Sequence, residues 1–382
     1  MLFALITLAS LGKIITFLFM LSVLVVLHEY GHFLVARRNG VRVNEFAVGM
    51  GPKLLGWTSK RSGTLYSIRA LPIGGYCAME GEDGKTSEAE QQREFRDSLD
   101  APSAAAAAPS AVNFQGKTPW QRLAIVLAGP VANFILCYVI LVVGAFSFGV
   151  MGNTPTAIVG EVKAGYPASA IGLQVGDKIV AIGGTQIRDG NQVVSIMHAS
   201  KGKRLDLVYD RSGERRETFV TPVPCLPGSK LGCIGIIPAS QFTHVAPLAA
   251  LTISGQEFLG IADQTFSSLG LLVTHFTQYA SQVSGPIGMG QAAGVVQDFG
   301  WGPYLMLAAT ISFALGLFNL LPIPALDGGR AAFIIAELLR GKPVDPDKEA
   351  MVHIGGFAVL IALMLLVAAH DIARIVAGKG VF

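Results

Sequence analysis

Hydrophobic positions along this chain fall in long, nearly uncharged blocks and do not alternate with polar ones at the short periods of half-buried strands or surface helices. A block of about 18 or more such residues is long enough to cross the hydrocarbon core of a bilayer as a helix. Four blocks qualify, predicting transmembrane helices over residues 1–38, 120–151, 303–328 and 351–382, the last including a C-terminal tail. Lys13 interrupts the first block, and its placement at one interface lets the ammonium snorkel out of the lipid. From Lys13 to His28 is about 15 residues, roughly 22 Å of helix against a core about 30 Å thick. A polar cluster beginning at His28 is therefore expected inside the membrane, near its far side. The second block contains Gly129-Pro130, which a spanning helix tolerates when neighbours satisfy the freed carbonyl.

The segments between the blocks read differently. Residues 39–82 carry strand-like composition at 41–50 and 64–71, punctuated by Pro72-Ile73-Gly74-Gly75, and predict a membrane-associated β-hairpin and loop. Residues 83–119 combine charges with an alanine run, as a flexible insertion would. Residues 152–244 return to short β-rich runs separated by Gly and Asp turns, which is the pattern of a small soluble domain and a following segment. Residues 245–302 are apolar but interrupted by Glu257, Asp263 and Asp298, and predict interfacial or packed helices; residues 329–350 predict a loop. The expected fold class is a polytopic α-helical membrane protein with four spans, one β-hairpin and one α+β domain.

Composition fits that class, with 51% hydrophobic and 14% charged residues and a mean hydropathy of +0.52. A net charge of +3 built from mixed signs argues against a nucleic-acid surface. Charge does orient the chain. Arg37, Arg38, Arg42, Lys53, Lys60, Arg61 and Arg69 follow the first block, and Arg330, Arg340, Lys342 and Lys348 separate the last two. Basic loops stay cytoplasmic, so both termini and the 152–244 domain are expected outside, with the His28 cluster toward the cytoplasmic face. The cysteines, Cys77, Cys137, Cys225 and Cys233, form no C-x-x-C pair. A disulfide between Cys225 and Cys233 is feasible in an oxidising space, with free thiols as the alternative.

The chemistry lies in His28-Glu29-Tyr30-Gly31-His32, an H-E-x-x-H pattern on a helix. Spacing of i, i+4 puts both imidazoles on one face and leaves Glu29 beside the metal as general base. A catalytic zinc takes three protein ligands and keeps one position open. Of the other histidines, His198, His244, His275, His353 and His370, none sits at an obviously suitable depth. Asp327 does, after a helix broken by Pro322 and Pro324 on the same side as His32. The expected set is therefore His28, His32 and Asp327 around Zn2+.

H-E-Y-G-H in the first span, Asn319 to Gly328 as N-x-x-P-x-P-x-L-D-G in the third, and Ala128-Gly129-Pro130 with Asn133 in the second resemble the site-2 protease family of intramembrane zinc metalloproteases. The likeness is to its bacterial RseP-like branch and covers nearly the whole chain. It implies His28, His32 and Asp327 as ligands, Glu29 as base, and Asn319 as a residue that helps hold the substrate backbone, with Pro322 and Pro324 beside it. It also implies a membrane-associated β-hairpin, matching the segment that ends at Gly74-Gly75-Tyr76. Residues 170–184 resemble the G-L-x-x-G-D-x-I core of PDZ domains of bacterial proteases, and one such domain is expected, either binding peptide or filtering bulky substrates.

The expected reaction is hydrolysis of transmembrane, single-span substrates at the inner membrane, with an edge strand near Gly74 and Gly75 holding the unwound segment. By resemblance, the substrates are already trimmed by another protease, as anti-sigma factors are, or are remnant signal peptides; lipid surrounds the enzyme, and the sequence leaves the oligomeric state open. A metal-dependent transporter or a non-catalytic PDZ scaffold is the competing reading, and Glu29 separates the two because only hydrolysis needs a base.

Overall fold

The computed structural model describes residues 8–82, 112–151, 155–163, 165–225, 231–239, 242–243, 245–275, 285–298 and 300–376. Most of the insertion expected at 83–119 lies outside them, as does the C-terminal tail beyond residue 376. In chain order the elements begin with α1 (Leu8–Arg38), β1 (Val43–Thr58), β2 (Leu65–Met79) and α2 (Pro119–Phe148). There follow β3 (Val150–Met151), β4 (Val159–Val162), α3 (Pro167–Ala170), β5 (Lys178–Ile182), β6 (Thr185–Gln186), α4 (Gly190–Ala199), β7 (Leu205–Arg211) and β8 (Glu214–Val220). The chain continues with β9 (Val223–Pro224), β10 (Gly232–Cys233), β11 (Ile236–Pro238), β12 (Phe242–Thr243), α5 (Pro247–Thr274), α6 (Pro286–Asp298), α7 (Trp301–Leu320), α8 (Asp327–Arg340) and α9 (Pro346–Val376). Two compact units result, one from residues 1–144 and 251–382, the other from 145–250.

Four helices of the first unit are long and apolar enough to cross a membrane: 11–38 within α1, 119–148 as α2, 301–320 as α7, and 348–373 within α9. Large apolar side chains on α9, such as Met351, Val359, Leu363 and Leu366, are exposed, as lipid-facing residues are. The third span ends earlier than the sequence reading placed it. Pro322 and Pro324 cannot donate to the helical ladder, so α7 stops at Leu320 and Asp327 opens a separate helix. That helix also replaces most of the loop expected at 329–350. Buried Ala331 and Ile334 give α8 its inner face, and Gly341, at φ 66°, ends it in a left-handed cap.

The β-hairpin is longer and more folded than expected. Residues 43–48 of β1 pair antiparallel with 75–79 on one side; on the other, 45–48 run alongside 65–68 in the same direction, Glu45 opposite Leu65 through Val48 opposite Ile68, while 55–58 pairs antiparallel with 65–68. Each strand therefore bends back, and the 75–79 segment is an outer edge. Phe46, Cys77 and Met79 pack with Phe33, Ile125, Val126 and Ile334 in a core that joins the sheet to α1, α2 and α8. The other half of the hairpin leaves Leu54, Leu55, Trp57 and Leu71 exposed.

The second unit holds a four-stranded antiparallel sheet in the order β6-β5-β7-β8, with β4 paired to β11. Ile179, Leu207, Val193 and Val220 fill its core. Asp177, at 1% exposure, accepts from Arg211 Nε and Nη2 at 2.7 Å and from Gln174 N–H at 2.8 Å. Burial alone would raise the Asp177 carboxyl, but the Arg211 guanidinium and the Gln174 amide hold it below the ordinary carboxylate range. Cys225 and Cys233 are joined in a disulfide, with Cα atoms 4.9 Å apart.

Candidate metal and active site

His28 and His32 lie one turn apart toward the C-terminal end of α1, both more than nine-tenths buried. Close helix packing makes room for them. A Cβ on Gly31 would strike the Ala128 carbonyl, and a Cβ on Gly129 would overlap Nε2 of both imidazoles. Glycine at these two positions therefore lets α2 run directly past the histidine face. Asp327 reaches the same point from the start of α8, whose first turn is pressed against the end of α7. Added Cβ atoms on Gly328 and Gly329 would meet the carbonyls of Leu321 and Ile323, which accounts for the paired glycines after the aspartate.

The three candidate ligand atoms form a nearly equilateral triangle. His28 Nε2 is 3.1 Å and His32 Nε2 3.3 Å from Asp327 Oδ2, and the two Nε2 atoms are 3.3 Å apart. Ligands held at 2.0–2.1 Å around a tetrahedral zinc are separated by about 3.3 Å. Asp327 Oδ2 is buried and has no hydrogen-bond partner, a costly state for a carboxylate oxygen unless a cation sits beside it. The residues therefore fit a zinc ion on both distance and donor chemistry.

Outer partners orient the rings. His32 Nδ1 lies 2.8 Å from the Ile125 carbonyl and donates to it, which frees Nε2 for the metal. His28 Nδ1 is 3.0 Å from the Asn133 carboxamide nitrogen, while Asn133 Oδ1 has no partner. Turning that carboxamide over pairs Oδ1 with His28 Nδ1–H and gives His28 the same free Nε2. Asn133 is fully buried, and Ser312 of α7 donates to its backbone carbonyl at 2.8 Å. The sequence singled out Asn133 without a role; its contact with His28 supplies one.

A cavity of about 660 Å³ opens beside the triangle, lined by Glu29, His32 and Asp327 and by residues 76–79 of the sheet edge. Tyr76 is pushed up to about 12 by burial and by its hydrogen bond to Glu45, so it stays a donor to Glu45 Oε2 at 2.8 Å. Burial also raises the Cys77 thiol. Arg330 and Glu82, both lining this cavity, form an ion pair.

The remaining residues expected at the site divide. Gly74 and Gly75 lie two residues and one residue before the cavity-lining strand segment, with Gly75 packed on the Ala47 carbonyl. Asn319 donates Nδ2–H to Leu315 O of its own helix at 3.0 Å, and neither it nor Pro322 or Pro324 is among the cavity-lining residues. His353, passed over in the sequence on grounds of depth, does line the cavity.

Residues 16–363 match the sequence profile described as peptidase family M50. The zinc metalloprotease RasP of Geobacillus kaustophilus is 32% identical, with 96% of this chain and 99% of that protein covered. The regulator of sigma-W protease RasP of Bacillus subtilis is 31% identical over 95% of this chain and 99% of its own length. Among solved structures, the PDZ domain of an SdrC-like protein from Listeria monocytogenes is 22% identical, covering 23% of this chain and 93% of that one, with a TM-score of 0.20.

Proposed function

Since the chain belongs to peptidase family M50, the membrane zinc metalloproteases of site-2 type, we propose that it hydrolyses peptide bonds in or near the membrane segments of single-span proteins at the triangle of His28, His32 and Asp327. The observation that carries this reading is the buried Asp327 oxygen, without a hydrogen bond, 3.1 and 3.3 Å from two imidazole nitrogens. A zinc ion bound there polarises the scissile carbonyl and lowers the pKa of the attacking water. Glu29, one residue from His28 and lining the same cavity, takes the water's proton and returns it to the leaving amine.

A helical substrate keeps its carbonyls in internal bonds and must unwind before it can be cut. The 75–79 edge, paired with β1 on one side, offers its free side to an extended segment beside the cavity. The exposed Leu54, Leu55 and Trp57 suit the other half of the hairpin to a lipid surface. Basic loops favour the inner membrane with the site toward the cytoplasm. The 145–250 unit, with its G-L-x-x-G-D motif, is then periplasmic and PDZ-like. One relative's name joins it to sigma-W regulation, and sigma-factor regulators already trimmed by another protease are the substrate class taken here.

The test is Glu29→Gln in the purified full chain, given a single-span peptide substrate in bilayers. Turnover should fall by about 10²–10⁴-fold with zinc retained. Persisting cleavage would exclude Glu29 as the base, and transport without cleavage in the parent protein would favour a transporter.

A further inference from the structure

The turn that carries Asp327 is held from outside by α9. Pro322 and Pro324 contribute no N–H, so residues 321–326 have few internal bonds, among them Ile323 N–H to Leu321 O at 2.7 Å and Leu326 N–H to Ile323 O at 3.2 Å. Ala325 sits at φ 75°, a left-handed conformation that alanine keeps only where its surroundings impose it. Its N–H donates to Nδ1 of His353 at 2.8 Å. Because Nδ1 accepts, the neutral ring carries its proton on Nε2, which is buried with no hydrogen bond; Glu349 Oε1 is 3.9 Å away. One turn on, a Cβ at Gly356 would run into Pro324 Cβ and come 2.8 Å from its carbonyl oxygen. His353 and Gly356 thus grip consecutive residues of one turn.

We propose that His353 is a positioning residue of the zinc site: by accepting the Ala325 N–H it fixes the left-handed turn that presents the Asp327 carboxylate to His28 and His32. The inference rests on Asp327 as a ligand. Without the imidazole, the Ala325 amide would be left without an acceptor, and relaxation of Ala325 toward ordinary φ would swing the next two residues, Leu326 and Asp327. Partners one step removed from a metal commonly change its affinity about 10–100-fold when lost.

Zinc affinity of the full chain in detergent, measured by competition with a chelator, tests this. His353→Leu, which has no acceptor, should weaken zinc by about 10–100-fold, while His353→Asn, whose Oδ1 falls near the Nδ1 position, should recover most of that loss. A His353→Leu protein with the parent's thermal transition and the parent's affinity would overturn the proposal. So would an Asn variant as weak as the Leu variant, since the acceptor would then not be what matters. Asp327→Asn keeps the two failures apart. If that variant held zinc as the parent does, the ligand reading would fail first, whatever His353 does.

Discussion

Both units bury a carboxylate oxygen, and they treat it in opposite ways. Asp177 receives both Arg211 donors and a nearby amide, so its charge is fully answered within its own unit. Asp327 is brought by glycine and proline chemistry against two imidazoles, and its Oδ2 has no hydrogen bond. The first arrangement offsets much of the cost of desolvating the charge, and removing either partner would leave the other buried and unpaired. The second is costly without a cation and becomes favourable with one. A buried acid therefore marks chemistry here by what its neighbours leave unsatisfied.

The largest effect expected from disturbing that contrast is at Asp327 itself. On the proposed reading Asp327→Asn removes the negative ligand, and cleavage of a membrane substrate should drop by about 10³-fold or more, because the metal proposed to polarise the carbonyl would be lost. Gly129→Ala comes next. Its methyl would displace Nε2 of both histidines, and zinc affinity should fall about 10–100-fold while the helices remain apolar and membrane-inserted.

A proline at Ala78, in the edge strand, should lower turnover by about tenfold with zinc content unchanged, since it spoils strand addition and touches no ligand. Equal turnover in that variant would remove the edge from the mechanism. The smallest catalytic effect is expected at Asp177. Its folded-state pKa is depressed, so its stabilising contribution is present above the ordinary carboxylate range and is lost as pH falls through that range toward the lower folded value. Hydrogen-exchange protection factors over residues 165–220 of the full chain, corrected for the slowing of intrinsic exchange in acid, should fall below about pH 4, and Asp177→Asn should flatten that dependence with cleavage near the parent rate.

Local patterns made much of this legible from sequence. H-E-x-x-H needs only the helical repeat to place two imidazoles together, and four apolar blocks suffice for four spanning helices. Asp327 was readable because two prolines must break a helix. What they do next was not: α7 ends at Leu320, and the aspartate starts a new helix where a span's end was expected. The doubled register of β1 and β2 was equally hidden, because alternation fixes a strand's faces but not which partners flank it. His353 was missed for a third reason. Its role depends on α9 passing a turn 28 residues earlier in the chain, a tertiary contact with no local signature.

X-ray absorption of zinc in the intact, purified chain tests the shared site most directly. One ion per chain with a shell of nitrogen and oxygen only, at about 2.0–2.1 Å, is the expected result. A preparation that retains turnover without stoichiometric zinc, or a shell containing sulfur at about 2.3 Å, would contradict a centre built from His28, His32 and Asp327.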